Sequence, residues 1–183
     1  MVDAGSQYER LPPLARQRMI KVSYTQVEED AMDHLQHQCV MHILDNARDL
    51  TLATIRPDGY PQATTVSFAH DDMTLYVGIG RHSQKAANVR ASGKVSLTVN
   101  LPYEGWRNIK GLSMSALAEV LEDPAAVDAA RACLERRFQE VSAWGGPDMA
   151  AEVAFLRIRP QVVSVIDYSK GFGHSELVTV DIR

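Results

Sequence analysis

Between Val77 and Arg90 the chain reads Val-Gly-Ile-Gly-Arg-His-Ser-Gln-Lys-Ala-Ala-Asn-Val-Arg, and four side chains able to hold an anion crowd one loop of it: Arg81, His82, Ser83 and Lys85. The pattern is the end of a strand, a short Gly-containing loop and the start of a helix. Ser83 stands at the cap and Lys85 in the first turn. A helix N-terminus exposes backbone N–H groups that lack a partner inside the helix and carries partial positive charge, so a phosphate can sit there. A lysine in the first turn opposes the helix dipole. An anion bound at the same place removes that penalty. A capped surface helix with solvated basic residues is the other arrangement these residues allow.

The elements on either side must position this loop. Leu50 to Ile55 is a short β-rich run, and Arg56-Pro57-Asp58-Gly59 is a turn. Gln62 to Ala69 is the next strand, His70-Asp71-Asp72 a second turn and Met73 to Gly78 a third strand, so the connections are tight and the pairing antiparallel. Lys94 to Asn100 follows the helix as a fourth strand. After a loop holding Pro102, Tyr103, Gly105 and Trp106, Ile109 to Leu121 reads as a long strand with small residues at Gly111, Ser113, Ser115 and Ala116, where another surface could approach. Asp123-Pro124 caps a helix expected to run to about Trp144. Val153 to Arg159 and Gln161 to Asp167 are two strands joined around Pro160, and Glu176 to Ile182 alternates as an edge strand.

Upstream, residues 1–24 form an extended or loosely ordered arm, and residues 25–183 the domain. Thr25 and Glu28 fit a capping box for a helix to about Asn46. His34, His37 and His42 lie on that helix at spacings that do not share one face, so solvated or partly buried histidines are favoured over metal ligands. The fold class is mainly β (α+β): a six- to eight-stranded antiparallel split β-barrel with flanking helices. A barrel this small fills its own interior with side chains. A ligand therefore belongs on the outer wall or at a subunit interface.

Composition sets the outer limits. The formal net charge of −4 argues against a dedicated nucleic-acid binder. Cys39 and Cys133 are the only cysteines and sit in no zinc-binding spacing, which suits buried thiols in a reducing cytoplasm. Met1 to Arg18 has no apolar leader core and no window spans a membrane, so a cytoplasmic protein is expected, with no membrane partner and no metal.

The order of these pieces resembles the flavin-binding split-barrel family typified by pyridoxamine 5′-phosphate oxidase. The resemblance runs over residues 50–167. It rests on Leu52-Ala-Thr-Ile-Arg-Pro-Asp-Gly-Tyr-Pro61, Thr64-Thr-Val-Ser67, Leu75-Tyr-Val77, Ser83-Gln-Lys85 and Val95-Ser-Leu-Thr-Val99 in that order and spacing. It implies that Ser83 and Lys85 hold the phosphate of FMN, with Arg81 and His82 lining the loop and Gln84 also among the cofactor-binding residues. It also implies that Thr64, Thr65, Val66 and Ser67 run beside the isoalloxazine ring. The implied assembly is a homodimer with two flavin sites at the interface, the second subunit contributing the stretch from Trp106 to Gly111 with Lys110 as its cation. The implied activity is that of an FMN-dependent oxidoreductase acting on a small molecule, with no catalytic residue assigned.

This chain departs from the oxidases at the substrate's phosphate. Thr64 and Ala69 stand where they carry an arginine and a lysine, Gly111 where they carry a glutamine, and the C-terminal tryptophan and arginine have no counterpart. Fewer cations hold a second phosphate less well, which points to a substrate other than pyridoxamine phosphate. A deazaflavin coenzyme is one alternative, with Arg81, Lys85, Arg90 and Lys94 lining a groove for its acidic tail. A haem-binding or haem-degrading protein is another, because Gly171-Phe-Gly-His174 is similar to a loop of the haem-degrading split barrels. A non-catalytic flavin carrier is the third. Tyr168, Phe172 or His174 forms either a lid over the cofactor or a plain turn before the last strand.

Overall fold

A computed structural model describes residues 32–139 and 151–180. These residues form eight strands and three α-helices: α1 (His34–Asn46), β1 (Asp49–Ile55), β2 (Pro61–Ser67), β3 (Ala69–Asp71), β4 (Thr74–Gly80), α2 (Gln84–Ala91), β5 (Lys94–Asn100), β6 (Lys110–Val120), α3 (Pro124–Arg137), β7 (Val153–Asp167) and β8 (Ser175–Thr179). All pairings are antiparallel, in the order β2-β1-β5-β6-β7-β4-β3, with β8 added to the far half of β7. This is the expected split barrel. The arm over residues 1–24 and the capping box at Thr25 and Glu28 lie outside the described residues.

Alternation decides which way each strand faces. Rows such as Leu52-Leu97-Met114-Val163-Val178 and Leu50-Val99-Leu112-Val165 run across β1, β5, β6, β7 and β8 and are buried along their length. Helix α1 covers this inner side with Val40, Ile43 and Leu44. Its start is set by Asp33, whose carboxylate accepts from the Gln36 N–H at 2.8 Å while the Gln36 side chain accepts from the Asp33 N–H at 3.0 Å. Helix α3 packs Cys133, Leu134 and the adjoining Phe138 against Ala69 of β3.

Four expectations are corrected here. The helix expected from the Thr25 box to Asn46 does not run through: it begins at Asp33, whose extended backbone makes it the N-cap. The helix expected to reach about Trp144 ends at Arg137, where Phe138 leaves helical geometry. The strand expected from Gln62 to Ala69 is interrupted at Phe68, whose fully buried ring turns into the core beneath the Arg137 guanidinium, 5.0 Å from the ring centroid. The two strands expected on either side of Pro160 are one fifteen-residue strand, β7. Ser115 pairs with Val162 and Ala116 with Pro160, so Gln161 is an extra residue in a β-bulge. Proline has no N–H to offer the ladder, and the bulge absorbs that loss while continuing the strand.

Among the described residues no helix covers the opposite side of the sheet. Thr65-Thr51-Thr98-Ser113-Ser164-Leu177 and Ala63-Ala53-Ser96-Ser115-Val162-Thr179 are two adjacent rows of mostly small side chains across six strands. Ile55, Leu117 and Leu177 stand exposed on the same face. No helix among the described residues is long and apolar enough to cross a membrane.

Candidate functional site

Helix α2 begins where the sequence places it. Ser83 has extended backbone angles and its hydroxyl accepts from the Ala86 N–H at 3.2 Å, which makes it the N-cap. Gln84 and Lys85 occupy the first two helical positions, so their N–H groups have no acceptor within the helix. Lys85 leans across to β2 and donates from Nζ to the Thr64 hydroxyl. No carboxylate among the described residues pairs with it, and burial pulls its amine below the ordinary lysine value. The first turn holds no acidic residue. Positive helix end, two free amide donors, a serine hydroxyl and an uncompensated half-buried amine therefore converge on one spot. That donor set fits a phosphate.

A polar lock that the sequence did not reveal holds this spot together. Asn88 is fully buried, and its Nδ2 donates to the Thr54 hydroxyl at 2.9 Å and to Gln62 Oε1 at 3.1 Å. Its Oδ1 accepts from Gln84 Nε2 at 2.9 Å. One side chain thus ties α2 to β1 and to β2, two residues from Thr64. The available signal was a polar residue on the apolar face of a short helix, between Ala86 and Val89, both of which are buried.

The remaining candidates are distributed as follows. Arg81 is turned away from the anion seat: its Nε donates to the Ala151 carbonyl at 2.6 Å and its Nη2 to the Val153 carbonyl at 2.8 Å. It braces the loop on the start of β7. His82 is exposed beside it. On β2, Thr64 and Val66 face inward while Thr65 and Ser67 face the uncovered side, and the Ser67 hydroxyl donates to Asp49 at 2.6 Å. Arg90 sits in the last turn of α2 but reaches back to donate from Nη1 to the Arg81 carbonyl at 3.5 Å, whereas Lys94 lies beyond the end of the helix far from Ser83. At Gly111 a Cβ would lie 2.8 Å from the Val99 carbonyl oxygen, so this backbone has no room for the glutamine of the oxidases.

Trp106 and Lys110 lie elsewhere. The anion seat adjoins the start of β7, where Gly80 pairs with Val153, whereas Lys110 pairs with Asp167 at the end of β7. Lys110 Nζ is 3.5 Å from the Asp167 carboxylate, which also accepts from the Ser169 hydroxyl and N–H. Burial pushes the Asp167 carboxyl up, but the Ser169 bonds and Lys110 together outweigh it and hold the group below the ordinary aspartate value. Trp106 stacks on Phe172 with ring centroids 5.9 Å apart, and Tyr168 tilts against Phe172 at 5.6 Å. His174 Nε2 meets Glu176 at 3.0 Å. A single chain does not bring this aromatic group to Lys85. Among the described residues no cluster of His, Cys, Asp and Glu is arranged to hold a metal ion.

Comparison with known proteins agrees with this architecture. Residues 38–167 match the family described as pyridoxamine 5′-phosphate oxidase, which is well over half of the chain. Comparison with curated proteins returns no match. Among solved structures, General Stress Protein 26 of Bacillus anthracis superposes with a TM-score of 0.58 at 21% identity, covering 81% of this chain and 100% of that one. A haem-binding protein of Mycobacterium smegmatis gives 0.66 at 17% identity over 78% of this chain and 57% of that one. HutZ, the haem storage protein of Vibrio cholerae, gives 0.57 at 19% identity over 66% and 87%. Identities this low establish the fold alone, but the sequence match extends from α1 to the end of β7, and the chain belongs to the pyridoxamine 5′-phosphate oxidase family.

Proposed function

We propose that this protein binds FMN and acts as an FMN-dependent oxidoreductase on a small molecule other than pyridoxamine phosphate. The observation that carries the proposal is Lys85: a half-buried cation at a helix N-terminus, bonded to a neutral hydroxyl and facing no carboxylate among the described residues. Ser83, the Gln84 and Lys85 N–H groups and Lys85 Nζ would hold the phosphate, and Thr64 would orient Nζ. The Asn88 lock would fix the distance between helix and strand. A bound flavin supplies hydride and electron transfer, leaving the protein to bind, orient and exclude water.

The sheet face that no helix of the described residues covers supports a homodimer. Its small side chains let a second sheet approach closely, and Ile55, Leu117 and Leu177 would lose their exposure on pairing. A second copy would bring its Trp106 and Lys110 toward a seat that one chain leaves open. The absorbance spectrum of the purified protein tests the proposal, with FMN added where none is retained. Flavin bands that shift on binding are expected, followed by reduction with nicotinamide cofactors. A Soret band in their place would favour the haem alternative, and failure to take up FMN would end the proposal.

A further inference from the structure

We propose that His70, held between Asp45 and Asp72, is a proton-gated clasp that fixes the end of α1 to the turn between β3 and β4. The His70 side chain is 9% exposed, and both of its ring nitrogens meet oxygen. Nε2 lies 3.1 Å from the Asp45 carboxylate near the end of α1, and Nδ1 lies 3.1 Å from the Asp72 backbone carbonyl. A carbonyl oxygen only accepts, and so does an ionised carboxylate. A neutral imidazole has one N–H. It can make one of these bonds and must turn a lone pair toward the other oxygen. Only the imidazolium donates to both. Acid thus completes the clasp, and base removes one of its two bonds.

The backbone is shaped for this arrangement. Asp72 has φ 47° and is the one non-glycine residue at positive φ among the described residues, a conformation that side chains disfavour. From there its carbonyl reaches His70 while its carboxylate takes His37 Nε2 of α1 at 2.7 Å. That second bond needs one ring proton and survives when His37 is neutral. Other groups face the clasp from each neighbouring element. Asp71 precedes Asp72 at the end of β3. The Cys133 thiol of α3 donates to the His70 carbonyl at 3.4 Å, and Arg136 and Arg137 bring positive charge to Cys133. Strand β4 sets Leu75 opposite His70 and Tyr76 opposite Ala69. The three carboxylates favour the imidazolium, and the two guanidinium groups oppose it. Arg137 also donates to the Leu44, Asp45 and Ala47 carbonyls, and that hold does not vary with pH because a guanidinium stays charged. The end of α1 is therefore held twice, once permanently and once through a proton. None of these residues belongs to the proposed cofactor seat.

Amide hydrogen exchange and ring-nitrogen NMR on the full chain test the clasp at about pH 5.5 and about pH 8.5, on either side of the ordinary histidine value of about 6.5. In acid both His70 N–H protons should be visible, shielded from water by their bonds. Exchange in the last turn of α1, corrected for the intrinsic effect of pH, should quicken by several-fold to about tenfold in base, as one hydrogen bond beside a largely exposed carboxylate is lost. His70→Gln should exchange at the faster rate at both pH values. Asp45→Asn should stay slow at both, because the new amide donates to the lone pair of a neutral ring and closes the clasp without the second proton. Arg137→Met should exchange faster throughout yet keep the response to pH, and His37→Gln should respond as the parent does. A parent that shows no response overturns the proposal. So does a response of undiminished size in Asp45→Asn, which settles the matter even where His70→Gln does not fold.

Discussion

Replacing Lys85 by methionine keeps the aliphatic stem of the side chain and removes its charge. In the parent protein Nζ bridges toward β2 at the Thr64 hydroxyl, and a phosphate at the α2 N-terminus would receive it as a charge-assisted donor. Loss of one such bond costs about 1.5–3 kcal/mol, which at about 1.4 kcal/mol per tenfold is roughly a ten- to hundred-fold weaker hold on FMN. Riboflavin has the same ring system and no phosphate, so its affinity should not change. Stability gives an independent check. Because burial lowers the amine's pKa in the fold, the unfolded chain binds that proton more readily. The free protein should therefore gain stability as pH rises from the depressed value toward the ordinary lysine value of 10.5. Lys85→Met should lose that gain and be no less stable at neutral pH. Flavin fluorescence titrations of FMN and riboflavin, with urea denaturation across pH, supply the measurements. Equal weakening of both flavins, or no weakening of FMN, would refute the placement of the phosphate.

Three further outcomes follow from other parts of the fold. Asn88→Ala strands the buried Thr54 hydroxyl and removes the donor to the partly buried Gln62, and should cost about 1–3 kcal/mol, seen as a lower urea midpoint; an unchanged midpoint would mean that the lock holds nothing. The Arg137 guanidinium donates to the carbonyls of Leu44, Asp45 and Ala47 at the end of α1, so Arg137→Met should remove about 2 kcal/mol and lower Tm by several degrees, and hydrogen exchange should quicken in α1. Bonds from Arg157 and then Arg159 hold the Glu119 carboxyl below its ordinary value of 4.5. The stability this adds is present above that value and fades as pH falls through the lowered one. Glu119→Gln should flatten that part of the acid-denaturation curve, and a curve parallel to the parent's would contradict it.

Local chemistry was legible where it depended on near neighbours along the chain. The strand over Lys94–Asn100 matches residue for residue, because its alternation is complete and bounded by turns. Ser83 caps α2 and Asp123 caps α3 as their positions indicate, since a cap is a contact across three residues. The long sixth strand was equally plain, but of the two thiols expected to be buried only Cys133 is, while Cys39 is partly exposed.

Tertiary structure decided the rest, because it concerns residues that only folding brings together. Whether the basic residues around Ser83 act as one group could not be read from their spacing. Arg81 is drawn to the carbonyls of Ala151 and Val153, seventy and more positions away, while Lys85 is turned toward β2 and has no counter-charge among the described residues. Pro160 looked like a boundary because proline breaks a ladder, yet the extra residue beside it lets β7 run on. Asn88 looked unremarkable until β1 and β2 closed over it. The sequence by itself determined that Ser83 caps helix α2 with Lys85 in its first turn. Only the packing of that helix against β2 determined that Lys85 bonds a neutral hydroxyl and pairs with no carboxylate among the described residues, because desolvation and partner choice are set by what lies nearby in space.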